Sequence, residues 1–405
     1  MGKNILLVIG NGFDRAHSMN TSYSDILKFI WTRIYTNHIN NTSIDYLNNR
    51  YPSKPVIQPP PQHIRDKFIS EWKRYLDGPR EEPGKTSEIL EKSRQELENL
   101  RKEYKDKIHR AIRDNTDNLI RFITDYTLKF GNIWLSYFTK VADNRDRRLG
   151  NGWIDFEEEI GRVVRTIENS LLNRTKAEDM YISESLIDVI GDVLSNDVEL
   201  KEHLLPIVKF DFLVFSLWME EALKVEDGRS DSREKIKMIE EEAPNIEGVI
   251  SYNYTHTPNL YNLGDKVRFI HGELGRHNLV LGTSETLEDE LADEFVECAY
   301  FKKKYQLIRY RLGNKFKTVF SNSQDDKWDA IIYGHSLTPA DKYSLGWLFT
   351  ENNNGLFAAH IETIKICYYD DLSYDQQIAN LIALIGQENA LKYVSEGRIV
   401  FQPMS

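Results

Sequence analysis

An amide and an imidazole lie 18 positions apart in this chain, at Asn253 and His271. An asparagine side chain carries two donor hydrogens and one acceptor oxygen, so it can orient a water molecule or a ribose hydroxyl. A histidine titrates near neutrality and can accept the proton that the water loses. Gly272 leaves room beside the imidazole. The pair therefore predicts general-base chemistry on a nucleotide, with a core histidine bonded to a carbonyl as the alternative interpretation of His271.

Two glycine-containing turns could hold the rest of such a ligand. The first, Gly10-Asn11-Gly12-Phe13-Asp14, follows a short apolar run, and its glycines allow close approach of backbone to phosphate. A carboxylate repels phosphate, so Asp14 is better placed on a ribose hydroxyl or on Arg15. A plain turn that needs two glycines is the alternative.

The second turn, Gly334-His335-Ser336, precedes a helix start at Thr338-Pro339-Ala340-Asp341. In that start Thr338 is the expected cap and Asp341 the acidic residue of the first turn. We expect Gly334 and Ser336 to contact the ligand and regard His335 as a second candidate base. A capped helix that binds nothing is the alternative. Gly282-Thr283-Ser284 is a further candidate wall of the site.

These segments follow β-type apolar runs, and helical stretches separate several of the runs. The runs are Lys3–Ile9, Gly248–Tyr252, Val267–Ile270, Leu279–Leu281, Ala330–Tyr333 and Ile364–Tyr368. Strands alternating with helices predict a parallel sheet with crossover helices. Ligands of such sheets bind outside the carboxyl ends of the strands, where the polar residues and glycines described above lie.

The middle of the chain has a different pattern. Apolar residues recur every three or four positions from Leu97 to Ala111, which indicates an amphipathic helix, and charged residues 225–243 suggest an exposed connection. We therefore predict an α/β protein with a Rossmann-like parallel sheet. Its sheet domain would consist of residues 1–38 and 246–405, with 39–245 as a large, mainly helical insertion.

Composition argues against several classes of protein. The 405 residues include 52 Lys plus Arg and 63 Asp plus Glu, so the net charge of −11 does not favour a nucleic-acid partner or a nuclease. Two cysteines suit a reducing cytoplasm, and the absence of zinc spacing leaves no metal expected. The longest apolar-rich stretch, Ile207–Met219, is shorter than the ~20 residues of a membrane span and contains charges. We expect no membrane association.

The same residues resemble the AbiH family of bacterial phage abortive-infection proteins. The resemblance is carried by the opening Val8–Asp14 with Thr21-Ser22-Tyr23, by Trp153–Glu157, by Asn253-Tyr254-Thr255, by Ile270-His271-Gly272, and by Tyr333–Leu337. It spans almost the whole chain and implies a defence role without a defined reaction.

Order and spacing are also similar to the SIR2, or sirtuin-like, NAD-binding fold. That resemblance implies that Gly10 and Gly12 face the phosphates of NAD, that Asn253 holds the nicotinamide ribose or the attacking water, and that His271 is the base. The four-cysteine zinc module of deacetylating sirtuins is missing, and Thr255 replaces the aspartate that follows the asparagine in those enzymes. Protein deacylation is therefore not expected.

The combined hypothesis is a cytoplasmic defence protein that binds NAD as a substrate and hydrolyses its nicotinamide N-glycosidic bond. The expected ligand-binding residues are Gly10, Asn11, Gly12, Phe13, Asp14, Thr255, Gly272, Gly334, His335 and Ser336. The alternative is a non-catalytic nucleotide sensor or scaffold, whose helical part signals to a defence partner or closes a homo-oligomer.

Overall fold

A computed structural model describes residues 3–40, 87–149, 156–171, 205–229, 233–283, 296–313, 318–319, 327–351, 357–358 and 361–404. Trp153, Ile154, Asp155 and Ser284, which carry parts of the predictions above, lie outside these ranges. The chain divides into two compact units. A sheet unit consists of Met1–Ser22, Leu223–Ala292 and Phe301–Ser405, and a helical unit consists of Tyr23–Ala222 and Asp293–Tyr300.

In the residues that the structure describes, the sheet unit contains six strands. They are β1 (Asn4–Ile9), β2 (Ile246–Ser251), β3 (Val267–Phe269), β4 (Trp328–Tyr333), β5 (Ile361–Tyr368) and β6 (Ile399–Pro403). All pairings are parallel and the order across the sheet is β3-β2-β1-β4-β5-β6. The predicted parallel α/β sheet is confirmed, and this strand order is the one described for dinucleotide-binding sheets.

The helices are numbered along the chain. They are α1 (Asn11–Ala16), α2 (Tyr23–Asn40), α3 (Ser87–Asp114), α4 (Leu119–Phe130), α5 (Ile133–Leu149), α6 (Phe156–Leu171), α7 (Leu205–Asp227), α8 (Lys237–Glu242), α9 (Val296–Ala299), α10 (Lys303–Arg309), α11 (Lys342–Leu348), α12 (Asp371–Ile385) and α13 (Gln387–Ser395). Within the described ranges, none of them has both the length and the apolar character needed to cross a bilayer.

The sheet is apolar on both faces, so its strands are nearly continuous apolar runs rather than alternating ones. On β1, Leu6 and Val8 belong to one core cluster and Ile5, Leu7 and Ile9 to another. The first cluster extends to Ile399 in β6. Residues from the two ends of the chain therefore share one core.

The helical unit has an aromatic core of its own. Phe138 stacks on Phe156 at 4.3 Å, and Phe156 also stacks on Tyr23 at 4.1 Å. The buried carboxylate of Asp211 accepts hydrogen bonds from the Tyr126 hydroxyl and the Ile133 amide. Such a buried acid needs several donors, which these elements supply together.

Three details of the predicted elements are wrong. Leu279–Leu281 is buried but forms no strand, since the Leu281 amide and carbonyl bond the side chain of Gln306 instead of a neighbouring strand. Residues 225–243 are not simply an exposed connection, because α8 buries Ile239. The last strand, β6, was not predicted.

Candidate functional site

Two glycine turns meet where the central strands β1 and β4 end. The Gly12 amide donates to the Gly334 carbonyl at 2.8 Å, and the Gly10 amide donates to the Tyr333 carbonyl at 3.2 Å. A Cβ on Gly10 would lie 2.8 Å from the Gly334 oxygen, and one on Gly12 would be equally close. The glycines are therefore required for the contact between the two turns, and a part for them in phosphate binding stays a prediction.

Gly334 is the most constrained residue of this contact. Its φ is +66°, a left-handed conformation that favours glycine, and a Cβ there would collide with the Phe13 backbone nitrogen. The segment predicted as a ligand-binding glycine turn, with a plain turn as the alternative, continues directly into the short helix α1. Phe13 is fully buried and its ring packs edge-on against Tyr333, so this side chain belongs to the core.

The carboxylate of Asp14 is also directed into the protein. Its two oxygens accept hydrogen bonds of 2.7 Å each from the hydroxyls of Thr255 and Thr257. Burial raises the pKa of Asp14 to about 6, and the two threonine hydroxyls oppose that rise. The protein partners of Asp14 are thus threonines from the segment after β2 and not the predicted Arg15, and a contact of Asp14 with a ribose hydroxyl stays a prediction.

Asn253 lies in the same segment and is 5% exposed. Its side-chain amide donates to the Gly10 carbonyl at 2.9 Å and also favours the ionised form of Asp14. Asn253 therefore joins the end of β2 to the glycine turn after β1. Its Oδ1 atom receives no hydrogen bond from the described residues.

His271 belongs to a second polar cluster, centred on the carboxylate of Asp341. Asp341 Oδ1 lies 3.1 Å from His271 Nε2 and 2.9 Å from the ammonium of Lys303, while Oδ2 lies 3.5 Å from His335 Nε2. The four side chains are between 4% and 8% exposed. We call this group the Asp341 cluster.

The charges of the Asp341 cluster depend on each other. Burial alone would raise the pKa of Asp341, but Lys303 and His271 outweigh burial and hold that pKa well below its ordinary value. Burial and Lys303 lower the pKa of His271, and Asp341 opposes them. At neutral pH the cluster therefore contains an ionised carboxylate and an uncharged His271 imidazole.

Tyr252 lies against both imidazoles, edge-on to His271 at 5.2 Å and to His335 at 4.4 Å between ring centroids. Its hydroxyl donates to Ser344 Oγ at 2.7 Å. Tyr252 immediately precedes Asn253. The Asp341 cluster and the contacts of Asp14 with Thr255 and Thr257 therefore both lie beside the carboxyl end of β2.

The loop after β3 is shaped by Gly272. Its φ is +99°, and a Cβ would collide with the Asn278 carbonyl oxygen, so the room expected beside His271 is occupied by this loop. A cavity of about 320 Å³ opens next to β3, and Glu273 and Asn278 are among its lining residues. The cavity therefore borders the loop that carries His271.

The remaining predicted residues lie around these clusters. Asn11 is exposed and its Oδ1 accepts a hydrogen bond from Thr21. Ser336 is exposed, and its carbonyl accepts a hydrogen bond from Asn380. Thr283, predicted as part of a further wall of the site, pairs through its backbone with Lys302, the residue before α10, in a single parallel β-pair outside the strands of the sheet.

The sequence missed the two charged members of the Asp341 cluster. Asp341 was expected to face the helix start, but Pro339–Asp341 forms a 3-10 turn that directs the carboxylate toward His271. The only signal for Asp341 was its position seven residues after Gly334, and Lys303 lies in an unremarkable run of lysines. Among the described residues no group of His, Cys, Asp and Glu side chains has the arrangement of a metal site.

The strand order and the polar groups at the carboxyl edge define a doubly wound α/β protein with a buried histidine–aspartate–lysine cluster. Residues 6–354 match the family described as Bacteriophage abortive infection AbiH, and the chain belongs to that family. No curated protein matches the chain. No solved structure matches it either.

Proposed function

We propose that this AbiH protein acts in abortive infection by hydrolysing NAD at the nicotinamide N-glycosidic bond. The observation that carries the proposal is the strand order β3-β2-β1-β4-β5-β6 with His271 and Asn253 at its carboxyl edge. Sheets of this order bind dinucleotides at that edge, where β1 is the point of reversal. The resemblance to sirtuin-like proteins supplies NAD as the substrate.

Two acceptor atoms support the chemistry. Asn253 Oδ1 and His271 Nδ1 form no hydrogen bond with any described residue, whereas the opposite ends of both side chains are anchored to the protein. Each of these acceptors can bind a water molecule through one of its hydrogens. The uncharged imidazole can then take up a proton.

In the proposed reaction the bond between ribose C1′ and the nicotinamide nitrogen breaks, and its electron pair leaves with neutral nicotinamide. The ribose passes through an oxocarbenium-like state, as in other glycosyl transfers. The water oxygen then bonds to C1′ and its proton passes to His271, which gives ADP-ribose. The glycine turns bind the ligand and take no part in proton transfer.

The test is nicotinamide release from NAD by the purified protein and its variants. A positioned base contributes ~10²–10⁴-fold to a rate, so His271→Ala should lose activity by that factor, and Asn253→Ala should also be impaired. His109→Ala is the control, because His109 is exposed and belongs to the helical unit. Equal rates for His271→Ala and His109→Ala would contradict the assignment of the base.

One observation favours a second candidate function, a non-catalytic nucleotide sensor. The Asp341 cluster and Asn253 are more than nine-tenths buried, and most of their polar atoms bond protein groups. Tight NAD binding measured by calorimetry, with no nicotinamide released by the same sample, would support the sensor and reject the hydrolase.

A further inference from the structure

The two ring nitrogens of His271, the proposed base, have different neighbours. His271 Nε2 lies 3.1 Å from Asp341 Oδ1, whereas Nδ1 bonds none of the described residues. A carboxylate beside one ring nitrogen favours the proton on that nitrogen, which leaves the other nitrogen with its lone pair. The group that contacts one ring nitrogen of a histidine base therefore decides which of the two nitrogens can accept a proton.

Asp341 is itself held in place from other elements. Lys303, at the start of α10, donates to the same Oδ1 atom at 2.9 Å, and Nε2 of His335 faces Oδ2 at 3.5 Å. The proton of His335 is also assigned, because the Leu337 amide donates to His335 Nδ1 at 2.9 Å and so leaves the hydrogen on Nε2. Both imidazoles thus present Nε2 to one carboxylate.

We propose that Asp341, held by Lys303, is the positioning residue that keeps His271 in the tautomer with hydrogen on Nε2, so that Nδ1 is the atom that accepts the proton from water. The catalytic part rests on the proposed function, but the tautomer does not. The buried ammonium of Lys303 balances the negative charge of the Asp341 carboxylate, so the carboxylate stays ionised and does not take the proton of His271.

The groups that face His271 have opposing effects on its charge. Asp341 stabilises the imidazolium, and Lys303 and His335 destabilise it, while Tyr252 lies edge-on to the ring. Removing the aspartate charge should lower the pKa of His271, and removing the lysine charge should raise it. If Asp341 and Lys303 had only structural roles, removing their charges would not displace the pKa of His271 in opposite directions.

The tautomer is tested without NAD, by long-range proton–nitrogen NMR spectra of protein labelled with ¹⁵N-histidine. The His271 signals are identified by their loss in His271→Gln. We expect a protonated Nε2 and an unprotonated Nδ1 in the wild type at neutral pH, and a mixture of tautomers in Asp341→Asn. A wild-type His271 with its hydrogen on Nδ1 would overturn the proposal.

The catalytic part is tested by the pH dependence of nicotinamide release. We expect kcat to fall in Asp341→Asn by up to the ~10²–10⁴-fold that a positioned base contributes, with the acid limb displaced to lower pH. Lys303→Met should displace that limb to higher pH, and its control Lys304→Met, which removes an exposed neighbouring charge, should not.

The two proposals fail in distinguishable ways. If Asp341→Asn and Lys303→Met displace the acid limb of the pH profile in the same direction, the positioning role is refuted. A wild-type protein that releases no nicotinamide would refute the hydrolase, and the NMR spectra would still decide the tautomer. If Asp341→Asn fails to fold, the wild-type spectra and the Lys303→Met profile remain decisive.

Discussion

At the scale of single residues, the buried carboxyl of Asp14 gives the protein a pH-dependent stability. Its pKa is raised from 3.8 to about 6 by burial, in spite of the hydroxyls of Thr255 and Thr257. Between these two values the folded protein holds a proton that the unfolded chain releases. The contribution of Asp14 to stability is therefore present below pH 4 and is lost as the pH rises to 6.

We expect Asp14→Asn to remove this pH dependence. Between pH 4 and pH 6 the stability of the wild type should fall relative to the variant by up to about 3 kcal/mol, the equivalent of the full shift in pKa. Thermal denaturation of both proteins across this range measures the difference. Asp375→Asn, which changes an exposed residue of α12, should show no such trend. A constant gap between wild type and Asp14→Asn would contradict the argument.

At the scale of elements, the contact between the turns after β1 and β4 depends on glycine. Gly334 and Gly397 both have φ near +70°, but only at Gly334 would a Cβ meet other atoms. Alanine at either position incurs the left-handed strain of roughly 1–2 kcal/mol. At Gly334 the collision with Phe13 should add ~1–3 kcal/mol, as overpacking does in other cores.

The pair Gly334→Ala and Gly397→Ala therefore separates strain from collision. We expect both variants to be destabilised in urea unfolding, with Gly334→Ala the less stable of the two. Under the proposed function, Gly334→Ala should also weaken NAD binding, because the turn carries His335 into the Asp341 cluster. Equal stabilities would show that the two turns can move apart without cost.

At the scale of the whole molecule, the sheet core extends beyond the part of the chain that matches the family. The match ends at residue 354, whereas Ile399 in β6 is 1% exposed and shares a core cluster with Leu6 in β1. The neighbouring Val400 is 42% exposed. The last strand is therefore part of the fold that positions the site.

Substitutions in β6 test this statement. Ile399→Ala should destabilise the protein by ~2–5 kcal/mol, the usual cost of emptying a buried isoleucine site. Val400→Ala, on the exposed face, should change stability by less than ~0.5 kcal/mol. Thermal and urea unfolding of the two variants would measure the difference, and a harmless Ile399→Ala would place β6 outside the cooperative core.

Much of the sheet could be predicted from the sequence. Strands buried on both faces are nearly continuous apolar runs that end at glycine or polar residues, so β1, β2, β4 and β5 were placed to within a few residues. The strand β6 is only partly buried and has a mixed composition, which is why its pattern was missed. Leu279–Leu281 has the composition of a strand, but the backbone amide and carbonyl of Leu281 bond the side chain of Gln306.

The sequence by itself determined that Asn253, His271 and His335 follow strand ends. Because parallel strands bring their carboxyl ends to one edge, it also determined that these residues lie at that edge of the sheet. Only the tertiary structure decided that His271 and His335 share the carboxylate of Asp341 with Lys303. Asp341 and Lys303 are 38 positions apart, and no local pattern marks them as partners. The reason is physical: apolar burial imposes a period on the sequence, whereas an ion pair depends on where its partners lie in space and leaves no period in the sequence.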